Sequence, residues 1–276
     1  MPLANLTDVL APALVRGYAV AGLVCLGWED SRAFVAAAEA ERVPVILQAG
    51  PGCRAHMPLP VLAAMFHALA RDADIPVVAH LDHGYTAAEC AEALDHGFTS
   101  VMFDGSRLPL SENIAETARI AEMAHAAGAS CEGEVGFVGY AAGEASRGTT
   151  PQEAHTFAKE SGVDAMAISV GNVHLQEEQT GGLDEERIRA IEAVTSVPLV
   201  IHGGSGVRED QRLRLAQTSR ICKYNIGTEL RYAFGTALRQ AIESDPDRFD
   251  RIAILSDTHE PMVDATRRVL RSMKAG

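Results

Sequence analysis

The sequence predicts an α/β protein of the (β/α)8 TIM-barrel class, with an extra C-terminal helical segment, as a single domain over residues 1–276. Three observations predict it. Eight short apolar runs alternate with eight longer stretches of helical periodicity, which calls for parallel strand pairing. The stretch "GLVCLGWED" after the first run lacks the glycine-rich dinucleotide fingerprint of an open doubly wound sheet. The side chains able to do chemistry gather at the C-terminal ends of several different runs, where barrels of this class carry their active sites.

In chain order the strands are expected at 19–26, 44–48, 76–81, 100–103, 129–134, 165–170, 198–201 and 220–224. The helices are expected at 29–42, 58–72, 87–96, 111–127, 151–161, 184–194, 208–218 and 228–243. The third helix is the best marked. Thr86 and Glu89 form a capping box, in which the Thr side chain and the third-position Glu satisfy each other's orphan amides. Ala87, Cys90, Ala91 and Leu94 then line one apolar face, and Gly97 is placed as the terminating glycine. Near Ser244 the run "SDPDRFD" interrupts the pattern and leads into a terminal helix near 261–273.

Composition narrows the partners. Net charge is −13 and no stretch is densely basic, so the electrostatic footprint for nucleic acid or an anionic membrane is missing. No apolar run is long enough to span a bilayer, and no signal-peptide pattern opens the chain. The five cysteines are widely spaced and never form Cys-x-x-Cys, which reads as small core side chains kept reduced in a cytoplasm.

Asp-His-Gly occurs twice, at 82–84 and 95–97. The second copy ends the helix just described, where His96 sits favourably near the negative end of the dipole. The first follows the buried strand "PVVAHL", so Asp82 and His83 fall on the catalytic rim. Of the ten histidines, His67, His96, His125, His155 and His259 fall on helices, His56 in a loop and His80 inside a strand. His83, His174 and His202 end three strands, in "LDHG", "GNVH" and "IHGGSG". Three neutral imidazoles from three strands make an open zinc site with a further position for water or substrate. Asp104 and Glu134 end two more strands beside them.

The same rim offers anion-binding loops. Gly203, Gly204 and Ser205 let backbone amides approach a ligand, and Asn225, Ile226, Gly227 and Thr228 lead directly into a helix N-terminus. A zinc ion beside a phosphate cradle suits a phosphorylated sugar held through its carbonyl. Asp82, next to a zinc ligand, would carry a hydroxyl proton in a retro-aldol cleavage.

These residues resemble a known family. "HLDHG", "SVMFDGSRLPLSEN", "EGEVG", "GNVH", "VPLVIHGGSG" and "KYNIGTEL" are similar, in order, to the motifs of class II, zinc-dependent fructose- and tagatose-bisphosphate aldolases. The resemblance covers about residues 3–238. It implies an aldolase of carbohydrate metabolism that is commonly oligomeric, as a homodimer or homotetramer. It implies His83, His174 and His202 as zinc ligands, Asp82 as catalytic acid/base, and Asp104 and Glu134 at positions linked to a second or displaced metal. It also implies that Gly203, Gly204, Ser205 and residues 225–228 hold dihydroxyacetone phosphate, beside a monovalent cation such as Na+ or K+.

The chain departs from the family pattern on the substrate side. Leu175 follows the second zinc histidine where the family has glycine, and the loop "VGYAAGEASRG" lacks the family's catalytic glutamate, leaving Glu144 as a stand-in. Residues 23–27 replace an asparagine-rich segment, and Gly50 replaces a serine, both on the side of the aldehyde fragment. Arg54, Arg107, Arg147, Arg248 and Arg251 are either replacements for those contacts or surface charges. The expectation is intact metal and proton-transfer machinery with an altered aldehyde pocket. The rivals are a zinc hydrolase on the same fold, a metal-free phosphosugar enzyme, and a non-catalytic aldolase-like accessory subunit.

Overall fold

The computed structural model describes residues 3–179 and 182–274. A short strand β1 (Leu3–Ala4) and helix α1 (Leu6–Arg16) precede the alternating units. These run β2 (Val20–Val24), α2 (Trp28–Glu41), β3 (Val45–Ala49), α3 (Pro51–His56), α4 (Leu59–Asp72), β4 (Val77–Gly84), α5 (Ala87–Asp95), β5 (Ser100–Phe103) and α6 (Leu110–Ala126). The second half continues with β6 (Ser130–Val135), α7 (Pro151–Ser161), β7 (Ala165–Ile168), α8 (Glu185–Glu192) and β8 (Leu199–Ile201). A single 3-10 turn (Gly204–Gly206), α9 (Glu209–Thr218), β9 (Ile221–Ile226) and α10 (Thr228–Ser244) complete the alternation. Strands β2 to β9 pair in parallel in the order β4-β3-β2-β9-β8-β7-β6-β5, and β4 with β5 closes the ring. This is the expected eight-stranded TIM barrel.

Strand alternation sorts the side chains into two sets. Outward residues such as Leu23, Leu47, Ala79, Val101 and Ile168 pack against the surrounding helices. Inward residues form layers. At the N-terminal mouth Val20, Ile46, Val78, Ala165, Ala167, Val200 and Cys222 meet Leu6, Val9, Leu10 and Ala13 of α1, which plugs the barrel. Above this apolar floor lie Gln48, His80, Ser100, Glu132 and Lys223, all with no exposed surface.

Helix α1 was not foreseen. Pro12 stands inside it and obscures its periodicity, yet the Asn5 capping box and the left-handed Gly17 after its last residue delimit it firmly. Strand β1 pairs with Val77 and Val78 of β4, below the point where β5 begins to pair. Helix α3 takes the place of the loop expected around His56. After α10 come α11 (Arg251–Ser256), also unforeseen, and the expected terminal helix α12 (His259–Arg271). Helix α12 packs along α2, where Glu41 accepts from Arg267 and Arg271 at 2.7 Å each. The five cysteines are free and buried. No helix among the described residues is long and apolar enough to cross a membrane.

Candidate active site

Two neighbouring residues on a regular strand face opposite sides, so Asp82 and His83 cannot both enter the barrel mouth without a break in the ladder. Strand β4 supplies one. Its register with β5 shifts between Leu81 and Gly84, and His83 has φ +53°, in the left-handed region. Such a conformation costs about 1–3 kcal/mol and persists only where its surroundings enforce it. Arg54 enforces it. The guanidinium donates to the carbonyls of Ala49 and Asp82 at 2.7 Å each and to that of His83 at 2.9 Å. Arg54 is thus a largely buried clamp on this turn rather than a surface charge.

The histidines arrive from different structures. His202 follows β8 directly. His174 lies six residues beyond the end of β7, in a loop, and not at a strand end as its spacing implies. Asn172 holds that loop by donating to the carbonyls of Ile168 and His202 at 3.2 and 3.0 Å. A short backbone pairing with the loop after β6 holds its other side, with His174 N–H donating to Gly139 O at 2.8 Å and Ala141 N–H to His174 O at 3.0 Å. The Tyr140 ring stacks on His174 with centroids 5.1 Å apart.

Each imidazole keeps one nitrogen for a ligand. His83 Nδ1 lies 2.7 Å from Asp104 Oδ2, which leaves Nε2. His202 Nε2 lies 3.0 Å from Glu132 Oε1, which leaves Nδ1 buried and without a hydrogen-bond partner. Ligand atoms of His83, His174 and His202 all fall within 4.8 Å of one another, as do those of His83, Asp104 and Glu134. Three imidazoles this close, one carrying an orphaned buried nitrogen, fit a divalent transition metal, and the carboxylates that orient them are the usual outer shell of such a site.

Charge sets the three rings apart. Burial alone would lower the His202 imidazole, but Glu132 and Glu134 outweigh it and push it up to about 10. His174, buried and facing the other two rings, is pulled down to about 3. Burial would raise the Asp82 carboxyl, yet His83, His202 and Lys223 hold it below the ordinary carboxylate value. Asp82 is therefore held in its carboxylate form. Its Oδ1 accepts from Asn225 Nδ2 at 3.2 Å.

Asp104 and Glu134 each have a place. Asp104 orients His83 and accepts the Ser106 hydroxyl at 2.6 Å, while Glu134 Oε1 accepts from Val138 N–H at 3.0 Å and Oε2 stands 3.4 Å from His202 Nδ1. Glu132 was missed from sequence. It shares the inward face of β6 with Glu134, two positions on, and that alternation is the signal that marks it. Lys223, likewise overlooked, pairs with Glu132 at 2.7 Å.

The two loops expected to bind an anion meet at the same mouth. Gly203 has φ +62°, and a Cβ there would lie 2.1 Å from Val173 O, so only glycine lets this turn pass beside the His174 loop. Ser205 Oγ accepts from the N–H groups of Gly227 and Glu229 at 3.2 and 3.4 Å, joining the turn after β8 to the start of α10. Asn225 and Ile226 belong to β9 itself, not to the loop beyond it, so Asn225 faces Asp82 while Gly227 and Thr228 open the helix.

The resulting cleft has a volume of about 290 Å3. Besides the candidate site residues it is lined by Val24, Gly50, Cys53, Tyr85, Tyr140 and Arg231. Arg231 was absent from the sequence expectation and is the only arginine or lysine lining the cleft among the described residues. Glu144 does not reach it. Its carboxylate pairs with Arg107 at 2.7 Å on the outer side of the loop, and Tyr140 faces the histidines instead. Arg147 donates to the carbonyls of Ser106 and Gly136, and Arg248 pairs with Asp245 and Asp257. A second cavity of about 240 Å3, lined by Phe34, Leu230, Phe234 and Met262, adjoins the cleft at Val24 and Arg231.

Fold and site together define a TIM-barrel enzyme whose rim brings metal-capable imidazoles, a buried carboxylate and two glycine-containing loops to one mouth. Comparison with known proteins gives its lineage. The chain belongs to the family described as fructose-bisphosphate aldolase class-II, which matches residues 4–276. It is an enzyme of the aldolase, or carbon–carbon lyase, type. The fructose-bisphosphate aldolase of Geobacillus stearothermophilus is 36% identical over 260 residues, covering 91% of this chain and 89% of that protein. A probable fructose-bisphosphate aldolase of Bacillus subtilis is 34% identical over 267 residues, covering 94% and 93%. Among solved structures, the YdjI aldolase of Escherichia coli K12 has a TM-score of 0.84 at 26% identity, covering 98% of this chain and 97% of that one. The Campylobacter jejuni fructose-bisphosphate aldolase, at TM-score 0.83 and 21% identity over 98% and 95% of the chains, shares the fold.

Proposed function

We propose that the chain is a zinc-dependent aldolase that reversibly cleaves a ketose phosphate or bisphosphate, of the fructose- or tagatose-bisphosphate kind, to dihydroxyacetone phosphate and an aldehyde. We further propose that it works as a cytoplasmic homo-oligomer. The observation that carries the reading is the convergence of His83, His174 and His202, whose ligand atoms lie within 4.8 Å of one another, with Asp82 adjacent. His83, His174 and His202 would hold the metal, which when bound supplies a Lewis acid for the substrate carbonyl.

The residues divide the remaining work. The turn at 203–205 and residues 225–228, leading into α10, bind the phosphate shared with dihydroxyacetone phosphate. Asp82, held by Asn225, takes the proton of the C4 hydroxyl. As that O–H bond breaks, the C3–C4 bond opens, its electron pair stays on the ketone-derived fragment, and the aldehyde leaves. A proton taken up at C3 replaces the one Asp82 removed from the hydroxyl and passes on to solvent, and this completes dihydroxyacetone phosphate with no net change in protons. Tyr140 and the His174 loop cover the site and limit water.

The aldehyde side supports an altered second fragment. Val24, Gly50 and Cys53 offer no charge there, and Arg231 alone supplies one. Fructose and tagatose bisphosphates are then slow substrates beside a ketose 1-phosphate whose distal end carries no second phosphate. Metal analysis of the purified protein, with a coupled assay for dihydroxyacetone phosphate across ketose phosphates, tests the reading on wild type and Asp82→Ala. Bound zinc with release lost by at least about a hundredfold in Asp82→Ala is expected, the scale of one general acid–base group. A protein that takes up no metal from excess zinc, or releases no dihydroxyacetone phosphate from any ketose phosphate, overturns it.

A further inference from the structure

We propose that Arg212, a buried residue outside the catalytic cleft, positions the phosphate cradle and neutralises the carboxylate built into it. The inference rests on the reading that residues 203–205 and 225–228 hold a phosphate.

Arg212 has no exposed surface, although it lies on α9, an outer helix of the barrel. Its neighbours on that helix behave as surface charges, with Arg208 paired to Asp210 and Arg214 to Glu185. Arg212 instead turns inward and makes four contacts with three segments. Its Nε donates to Val207 O at 2.9 Å, its Nη2 to Ser205 O at 3.2 Å, and its Nη1 to Ser272 Oγ at 3.5 Å. Its Nη2 also forms an ion pair with Glu229 Oε1 at 2.8 Å. The guanidinium thus holds the carbonyls of the turn after β8 from behind, while the hydroxyl of the same Ser205 engages the first amides of α10 from the front.

Glu229 is what makes this arrangement more than a strut. It is the second residue of α10, where a carboxylate is favoured by the helix dipole, the same feature that favours a phosphate. A carboxylate and a phosphate dianion at one helix end repel each other. A fully buried guanidinium is costly to desolvate, and an apolar residue would fill its space at lower cost. The pairing with Glu229 explains why a cation stands there: it removes the negative charge that the cradle would otherwise show its ligand. Arg212 acts through the loops and Glu229, without contact with the bound phosphate.

The test uses the full metal-loaded chain, with inorganic phosphate and dihydroxyacetone phosphate as calorimetric probes and melting temperature measured alongside. Arg212→Met is expected to weaken both probes about tenfold or more, the effect of one uncompensated charge at a partly buried site, and to raise KM far more than it lowers kcat. Glu229→Gln is expected to bind both at least as tightly as wild type. The double variant Arg212→Met, Glu229→Gln is expected to regain most of the lost affinity while melting no higher than Arg212→Met. If Arg212→Met fails to fold, Arg212→Lys, which keeps the charge and loses the fork, is expected to bind phosphate within about threefold of wild type. Equal weakening in Glu229→Gln and Arg212→Met, or no recovery in the double variant, reduces the pair to a structural strut and overturns the proposal. A wild type that binds neither probe overturns the cradle itself, a different failure from one confined to the variants.

Discussion

Leu175 and His83 share an unusual backbone, with φ of +56° and +53°. At His83 the strain serves the site, because only that turn brings its ring and the Asp82 carboxylate into one mouth, and Arg54 holds it there. Leu175 has no such return: half its surface is exposed and its side chain lies on the rim. Leu175→Gly is therefore expected to raise stability by up to about 1 kcal/mol, since a left-handed residue with a Cβ costs about 1–2 kcal/mol and glycine gives part of that back to its freer unfolded chain. Equilibrium denaturation with urea checks it, and a fall in midpoint would mean that the leucine side chain packs on something that holds the loop. At this scale the sequence was readable wherever residue type and strand position sufficed. His83, His202 and Asp82 are polar residues at the ends of apolar strands, and nothing else explains them. Arg54, Arg212 and Arg231 were not readable, because each lies on a helix or its approach and only the packed structure shows whether such a cation faces solvent, a carbonyl cluster or the cleft.

Between elements the central device is the charged layer inside the barrel, where Lys223 of β9 meets Glu132 of β6 and Glu132 in turn orients His202. His80 joins this layer through Ser100 Oγ at 2.7 Å and, lacking charge of its own, is pulled down to about 3 by burial and by Lys223. Removing one partner of such a pair leaves a buried charge uncompensated, so Lys223→Met is expected to cost about 3–5 kcal/mol. Adding Glu132→Gln should recover a large part of the stability in denaturation experiments while leaving metal affinity weakened, because the orienting carboxylate on His202 is gone. Unchanged stability in Lys223→Met would mean that water or His80 already satisfies Glu132. The elements themselves were legible where capping and periodicity agree, as at α5 with its Thr86–Glu89 box. They were illegible where one signal contradicts another. Pro12 hides α1, the six residues of α3 fall short of a full periodic pattern, and β4 runs to Gly84 because its bulge keeps the ladder going past the last apolar residue.

Across the whole molecule the barrel is stratified, with an apolar floor sealed by α1, a charged layer above it and the catalytic rim on top. Floor and rim do not share residues, so a cavity in the floor should change stability and leave the chemistry alone. Leu10→Ala, which removes a side chain of 1% exposure from the plug, is expected to cost about 2–5 kcal/mol. Dihydroxyacetone phosphate release per folded molecule, measured well below the lowered melting temperature, should match wild type. A loss of activity in protein still shown to be folded would reveal that the plug tunes the rim through the barrel wall.

The five reduced cysteines give this layered body an internal clock. They sit after β2, in α3, in α5, in β6 and in β9, one to a sector, and all are shielded from solvent. A thiol reagent therefore finds nothing to modify until a sector breathes, and the order in which the sulfurs are labelled records the order in which the ring comes apart. Cys53 alone also lines the cleft, so its labelling rate reads ligand occupancy as well as opening.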